Sequence, residues 1–213
     1  NVSAAVDTVE LKESERHCKL YTGLLQPRTA PDFWQHFSVN SKTIASLPGV
    51  FSHGKLDEGS ALLLDDLNAN PVSGKKVLDA GCGAGVLTVH LMSANRVVTA
   101  VDISATALAA CRQTLTDNDG QAEIIASDLL DNVTGRFHAI ISNPPFHAGM
   151  ARDLSLARRL IDQSRAHLVG DGELRLVANR NLPYHDWLSD AFQQVTIQQE
   201  TARFRIWRAR QPR

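Results

Sequence analysis

The chain has 213 residues, of which 43% are apolar and 21% charged, with a formal net charge of −1. This composition supports one full domain plus an appendage and excludes wholesale disorder, collagen-like repeats and a long coiled coil. No apolar run approaches the ~20 residues that span a bilayer.

The first residues, Asn1-Val2-Ser3-Ala4, show no basic region, no apolar signal core and no initiator Met, so the chain is read as beginning inside a longer product or after processing. Residues 1–40 look irregular. They are expected to be an N-terminal extension or linker, the tail of a missing first domain, with residues 41–213 as the main domain. Val9 to Leu25 mixes charged and apolar residues without a clean period, and Gln26 to Pro31 is a Pro-punctuated linker. Leu47-Pro48-Gly49 is a turn, and Gly59 to Leu67 is a short helix carrying Leu62, Leu63 and Leu64.

From residue 75 the pattern changes. Val77-Leu78 is a strand, followed by Gly81, Gly83 and Gly85 and a helical stretch from Val86 to Met92. Val97 to Val101 is a second strand, ending at Asp102. Ser104 then caps a helix whose Leu108, Cys111 and Leu115 share one face. A third strand, Ile124-Ile125-Ala126, ends at Ser127-Asp128, and a fourth, His138 to Ser142, ends at Asn143. Residues 151–168 read as a helix, Gly170-Asp171-Gly172 as a turn, and Leu174 to Ala178 as a fifth strand. Val195 to Ile197 and Phe204 to Trp207 form a late antiparallel pair. Strands alternating with helices indicate an α/β fold around a mostly parallel sheet. Ligands in such sheets bind beyond the carboxyl ends of the strands. Asp79, Asp102, Asp128 and Asn143 each fall at or just past such an end, and are read as one site.

The three cysteines, Cys18, Cys82 and Cys111, are far apart and form no CxxC, and no HExxH occurs, so neither a disulfide framework nor a metal site is expected. A reducing cytoplasm is the simplest compartment. Residues 1–149 hold 11 Lys/Arg against 16 Asp/Glu, whereas residues 150–213 hold 11, all Arg, against 7. An arginine excess suits a phosphate-bearing partner.

The chemistry starts at Asp79-Ala80-Gly81-Cys82-Gly83-Ala84-Gly85, where glycines let a backbone approach a ligand closely. The NAD fingerprint GxGxxG fails because the third Gly comes one residue early, and no GK[ST] follows. Asp79 would repel a pyrophosphate but suits the ammonium and sulfonium of S-adenosylmethionine. Asp102 can accept from two ribose hydroxyls, a role that fits NAD and S-adenosylmethionine equally. Ser127-Asp128 can bond an adenine amino group. Asn143-Pro144-Pro145-Phe146 speaks to the reaction. The stiff Pro-Pro lets the Asn143 side-chain oxygen and the Pro144 carbonyl face one point, two acceptors that can hold both hydrogens of an exocyclic amine, while Phe146 stacks on the base.

These residues resemble a class I S-adenosylmethionine-dependent methyltransferase with a Rossmann-like, mostly parallel seven-stranded sheet. More closely, they resemble the RsmC family, which methylates the exocyclic N2 of a guanine in small-subunit (16S) ribosomal RNA. The stretches that match are Leu47 to Ser52, Leu56 to Ser60, the glycine loop, Ile141 to His147, Gly172 to Asn179 and Leu182-Pro183-Tyr184. The resemblance implies that Asn143, Pro144, Pro145 and Phe146 are catalytic. It places S-adenosylmethionine among Asp57, Gly59, Asp79, Gly81, Gly83, Gly85, Asp102, Ile103, Ser127, Asp128 and Asn143. Leu56 to Ser60 closes over the cofactor by the same analogy, or is a plain helix start. It further implies ribosomal RNA or the small subunit as partner, no membrane, and a monomer. Alternatives are a large-subunit ribosomal RNA guanine-N2 enzyme, a release-factor glutamine enzyme, a non-catalytic RNA-binding module of the same fold, and an NAD-dependent oxidoreductase.

Overall fold

A computed structural model describes residues 6–15, 18–25, 32–92, 96–144 and 151–213. The chain divides into two compact units, Asn1–Phe33 and Trp34–Arg213.

The first unit holds an antiparallel hairpin of β1 (Val6–Glu15) and β2 (Cys18–Leu25). Regular strands here differ from the irregular segment that the sequence suggests. The physical reason lies in the pairing. The register shifts twice, between Asp7 and Glu10 and between Leu11 and Glu13. Each shift breaks the two-residue alternation by which a strand is recognised.

The second unit opens with β3 (Gln35–Val39) and β4 (Lys42–Ser46). Asn40 and Ser41, at φ 48° and 63°, make the two-residue turn between them. Such turns need positive φ at both positions, and Asn-Ser is a weaker signal for one than Asn-Gly. Then follow α1 (Glu58–Ala69), β5 (Lys76–Ala80), α2 (Val86–Leu91), β6 (Val97–Asp102), α3 (Ala105–Thr116), β7 (Glu123–Ala126), β8 (Phe137–Ser142), α4 (Ala151–His167), β9 (Leu168–Asn179), α5 (Tyr184–Ala191), β10 (Phe192–Glu200) and β11 (Phe204–Pro212).

The last seven strands form one sheet in the order β10-β11-β9-β8-β5-β6-β7. Strands β5 to β9 pair in parallel, and β11 pairs antiparallel with both β9 and β10. The expected glycine turn at Gly170 to Gly172 is absorbed into β9 as an irregularity. Phe137 pairs with Leu168 and Ala139 with Glu173, so the β9 strand carries extra residues there. The chain runs from β5 outward to β7, then returns to β8 on the other side of β5. The crevice beyond β5 and β8 is therefore the switch point where ligands bind in such sheets.

Alternation along the strands feeds two cores. Leu78, Ile140 and Leu176 face α4 and α5 through Leu160, Ile161, Tyr184 and Leu188. Val77, Ile141 and Val177 face α1 and α2 through Leu63, Leu64, Leu87 and Leu91. Arg175 is fully buried within β9, where its guanidinium pairs with Asp66 of α1 at 3.1 Å and with Glu173 at 2.6 Å. Glu173 pairs in turn with Arg208 of β11 at 2.6 Å. The β3–β4 hairpin is tied to α3, because Thr114 Oγ1 accepts from Ala45 N and the Asn118 amide bonds Thr43 at both its N–H and its carbonyl. Residues 47–57 therefore run from an anchored hairpin to the start of α1. No helix among the described residues is long and apolar enough to cross a membrane.

Candidate active site

The C-terminal edge of the sheet is held by backbone bonds before any ligand is considered. Gly81 N and Cys82 N both donate to Val101 O at 2.9 Å. Gly83 N donates to Asp102 Oδ2 at 2.9 Å, and Ser104 N donates to Asp102 Oδ1 at 2.8 Å. Asp102 thus clasps the glycine loop with one oxygen and the start of α3 with the other. Ser104 Oγ caps α3, accepting from Ala107 N, as the sequence suggests. Gly81 and Gly83 have positive φ, and a Cβ on either would meet nothing within 4 Å, so the loop presents bare backbone to open space. Gly85 is different. A Cβ there would meet Cys111 Sγ at 3.0 Å, so this glycine serves close packing of the loop on α3.

The loop walls a cavity of about 530 Å³ at the switch point. Of the residues singled out in the sequence, Asp57, Gly81, Gly83, Asp102, Ile103, Ser127, Asp128 and Asn143 line it. Gly59, Asp79, Gly85 and Pro144 do not. Pro145 and Phe146 lie outside the described residues, and the stacking role expected of Phe146 lies there with them. Ile103 is 73% exposed at the wall, which offers a flat apolar surface.

Asp79 is where placement differs most from the expectation of direct ligand contact. It belongs to β5 itself, and its side chain is fully buried behind the loop, where Thr88 Oγ1 donates to its Oδ2 at 2.5 Å. Its Oδ1 has no partner among the described residues. Burial, with a smaller push from the Asp102 charge, outweighs the Thr88 bond and raises its pKa to about 7. The Cys82 thiol, in the loop, is pushed up by the adjacent Cys111 side chain and by burial, so it is a protonated wall and no nucleophile.

Asn143 follows directly on β8, whose last residue Ser142 donates through Oγ to Ala80 O at 2.7 Å. Its amide nitrogen donates to Asp57 Oδ2 at 3.0 Å and to Ser60 Oγ at 2.8 Å. Asp57 is also the N-cap of α1, accepting from Ser60 N at 3.0 Å. Gly59 fits between them, since a Cβ there would meet Asp57 Oδ2 at 3.0 Å and Asn143 Oδ1 at 3.5 Å. With both amide hydrogens engaged, the Asn143 oxygen is left as the acceptor.

At the β7 end, Ser127 is buried and its Oγ accepts from Asn132 N at 3.0 Å. Asp128 pairs with Arg159 of α4 at 3.2 Å, and Arg159 also reaches Asp131 at 3.3 Å. Arg159, Ser60, Phe37 and Phe51 line the cavity and were not singled out as site residues in the sequence. Ser60 carried the nearest thing to a signal, because it ends the Leu56 to Ser60 stretch that the resemblance closes over the cofactor; Phe51, 61% exposed, lies in the Leu47 to Ser52 stretch of the same resemblance. The arginine excess of residues 150–213 is largely spent within the protein. Arg158, Arg159, Arg175, Arg180, Arg203, Arg205 and Arg208 all sit in ion pairs.

A family model for the methyltransferase small domain matches residues 41–208. The ribosomal RNA small subunit methyltransferase C of Alcanivorax borkumensis is 46% identical over 213 residues, a match covering 98% of this chain and 65% of that protein. Its namesake in Escherichia coli is 46% identical over 202 residues, covering 92% and 58% respectively. The chain thus spans less than two thirds of the length of these curated relatives. Among solved structures, a T. thermophilus 16S rRNA N2 methyltransferase (RsmC), in complex with AdoMet and guanosine, superposes with a TM-score of 0.85 at 28% identity, over 98% of this chain and 59% of that one. A methyltransferase from Pyrococcus furiosus superposes with a TM-score of 0.61 at 14% identity, over 74% and 87%, a likeness of fold.

Proposed function

The chain belongs to the methyltransferase small domain family, and we infer that it transfers a methyl group from S-adenosylmethionine to the exocyclic N2 amine of a guanine in small-subunit (16S) ribosomal RNA. The observation that carries this reading is the Asn143 amide. Its hydrogens are held by Asp57 and Ser60, and its oxygen is left as an acceptor at the end of β8. The likeness to small-subunit ribosomal RNA methyltransferases supports the choice of substrate.

The cavity fits the cofactor. Its volume of about 530 Å³ falls in the range of small-molecule sites. Gly81 and Gly83 leave room for close approach. Each Asp102 oxygen accepts only one backbone N–H and keeps a lone pair for a ribose hydroxyl. Ile103 offers its apolar face to the adenine, and Asp128, shared with Arg159, supplies an acceptor at that end. Asp79 acts from behind the loop as a charge rather than as a contact. When bound, S-adenosylmethionine supplies an electrophilic methyl on its sulfonium.

The protein's own work is orientation. Asn143 Oδ1 accepts one N–H bond of the amine, and the Asn-Pro-Pro segment assigns the other to the carbonyl of Pro144, which does not line the described cavity; together they turn the lone pair toward the methyl. Guanine N2 is conjugated and a poor nucleophile, so favouring its pyramidal form and fixing the approach supplies much of the rate. No strong base is needed before attack, because the nitrogen acidifies once methylated. The guanine must leave its stack to enter. We assign this chemistry to Trp34–Arg213, acting as a monomer in the cytoplasm on ribosomal RNA or the assembled small subunit; the expected boundary at 40/41 moves back to 33/34 because β3 pairs with β4 and Phe37 lines the cavity.

The test is transfer of labelled methyl from S-adenosylmethionine to 16S RNA and to isolated small subunits, followed by nucleoside analysis. N2-methylguanosine is the expected product. Label in another nucleoside, in protein or in large-subunit RNA alone would overturn the assignment.

A further inference from the structure

The reaction needs an acceptor at Asn143, yet an asparagine amide does not choose one by itself. Oxygen and NH2 are nearly the same size, and a half-turn about the last torsion exchanges acceptor for donor. The choice is made from α1. Asp57 Oδ2 lies 3.0 Å from Asn143 Nδ2, and Ser60 Oγ lies 2.8 Å from it. A hydroxyl can donate or accept, so Ser60 alone would tolerate either orientation. An ionised carboxylate only accepts. Turning the amide over would set its oxygen against Asp57 Oδ2. Nor is Asp57 free to turn away, because the same oxygen accepts from Ser60 N at 3.0 Å as the cap of α1. Asp57 and Asn143 are 86 positions apart in the chain, and are brought together by the docking of the α1 N-terminus on the end of β8.

We propose that Asp57 and Ser60 are positioning residues that hold the Asn143 amide with its oxygen toward the substrate, and so select a substrate that donates hydrogens, an exocyclic amine, over one that presents a carbonyl. This rests on the amine-methylation reading above. Specificity for amines is then set partly at the first turn of α1, outside the Asn-Pro-Pro segment. Direct cofactor contact by Asp57, which the resemblance implies, predicts something different. It would make cofactor affinity the property that suffers on substitution.

Asp57→Ser separates the roles, because serine remains a good helix cap but is too short to reach Asn143. Ser60→Ala removes the other partner, and Ser60→Thr restores the hydroxyl. The first readout needs no activity. In 15N-labelled protein, the Asn143 side-chain NH2 pair is identified by its disappearance in Asn143→Ala. It is expected to be rigid in the unsubstituted chain and in Ser60→Thr, and mobile in Asp57→Ser and Ser60→Ala. The second readout is kinetic. Asp57→Ser and Ser60→Ala should each lower kcat about 10- to 100-fold, as misplacing a reacting group does. The Kd for S-adenosylmethionine should stay within about twofold, and neither change should cost further rate in the Asn143→Ala background, because residues that act through one another are non-additive. An Asn143 amide as mobile as an exposed one in the unsubstituted chain, additive rate losses, or a fall in cofactor affinity that matches the fall in rate would overturn the proposal. Absence of guanine methylation by the unsubstituted chain would instead sink the amine-methylation reading, and the NH2 mobility measurement would still decide the positioning role.

Discussion

Replacing Asp79 by Asn removes a charge while keeping the shape of the side chain, and its effect on stability should depend strongly on pH. In the folded chain the carboxyl is fully buried, and its pKa is raised from 3.8 to about 7, chiefly by burial. In the unfolded chain it titrates near its ordinary value. Between the two, the folded state holds a proton that the unfolded state has already released. Stability therefore falls as pH rises through this window, and the loss is complete above the folded pKa. A shift of this size corresponds to about 4 kcal/mol at saturation. Roughly 3 kcal/mol of it develops between about pH 5 and pH 8. Asp79→Asn carries no charge at any pH. Its amide oxygen can still accept from Thr88, while its NH2 takes the place of an oxygen that has no partner among the described residues. That NH2 costs ~1–3 kcal/mol at every pH alike. Urea unfolding at about pH 5, 6.5 and 8 should therefore show the variant gaining on the parent by about 3 kcal/mol across the series, whatever the offset at the acid end. Saturating S-adenosylmethionine should shrink the swing, because a cation held at the glycine loop favours the ionised carboxylate. Parallel pH profiles for the two proteins would refute the reasoning and mean that Asp79 is charged or solvated in the fold.

Asp102→Ala should lower both cofactor affinity, by ~2–3 kcal/mol in calorimetry, and melting temperature, because Gly83 N and Ser104 N lose their shared acceptor. Unchanged affinity would remove Asp102 from the site. Arg175→Ala should cost about 3–5 kcal/mol in urea unfolding, since it leaves the Asp66 carboxylate buried without a cation and Glu173 with Arg208 alone; a cost under ~1 kcal/mol would mean that water reaches them. Arg203→Gln should spare stability and reduce the salt slope of RNA binding by about 1, whereas Arg208→Gln should cost stability and leave that slope alone. The reverse order would move the RNA contact toward the far side of β11.

The parts of this molecule that were legible in its sequence are those that physics makes local. Val97 to Val101 ends in an acid, His138 to Ser142 ends in Asn143, and Ser104 precedes a helical period; each is a strand or helix boundary written in adjacent residues. Asp79 was misplaced because alternation cannot be read in Val77-Leu78-Asp79-Ala80. Both faces of that central strand are covered, so the usual contrast between apolar and polar neighbours is missing. The bond between Asn143 and its anchors could not be read for another reason. Asp57 is expected at the cofactor and Leu56 to Ser60 as a closing segment or a plain helix start, but Ser60 and Asp57 are 83 and 86 positions from Asn143, and nothing local joins them to it. The arginines show the same limit for charge. Composition gave the sign of residues 150–213 but not the partners, which come from as far as 145 positions away in the pair of Arg203 with Glu58. That pair is exposed on both sides, and exposed pairs are worth only ~0–1 kcal/mol, so a phosphate can replace Glu58 at little cost. Glu173, by contrast, is buried between Arg175 and Arg208, and losing Arg208 would leave the buried carboxylates of Glu173 and Asp66 to share the single cation of Arg175. Any contribution of β11 to RNA binding therefore falls at its Arg203 end, where Glu58 directly follows Asp57 and the contact would reach the same turn of α1 that orients Asn143.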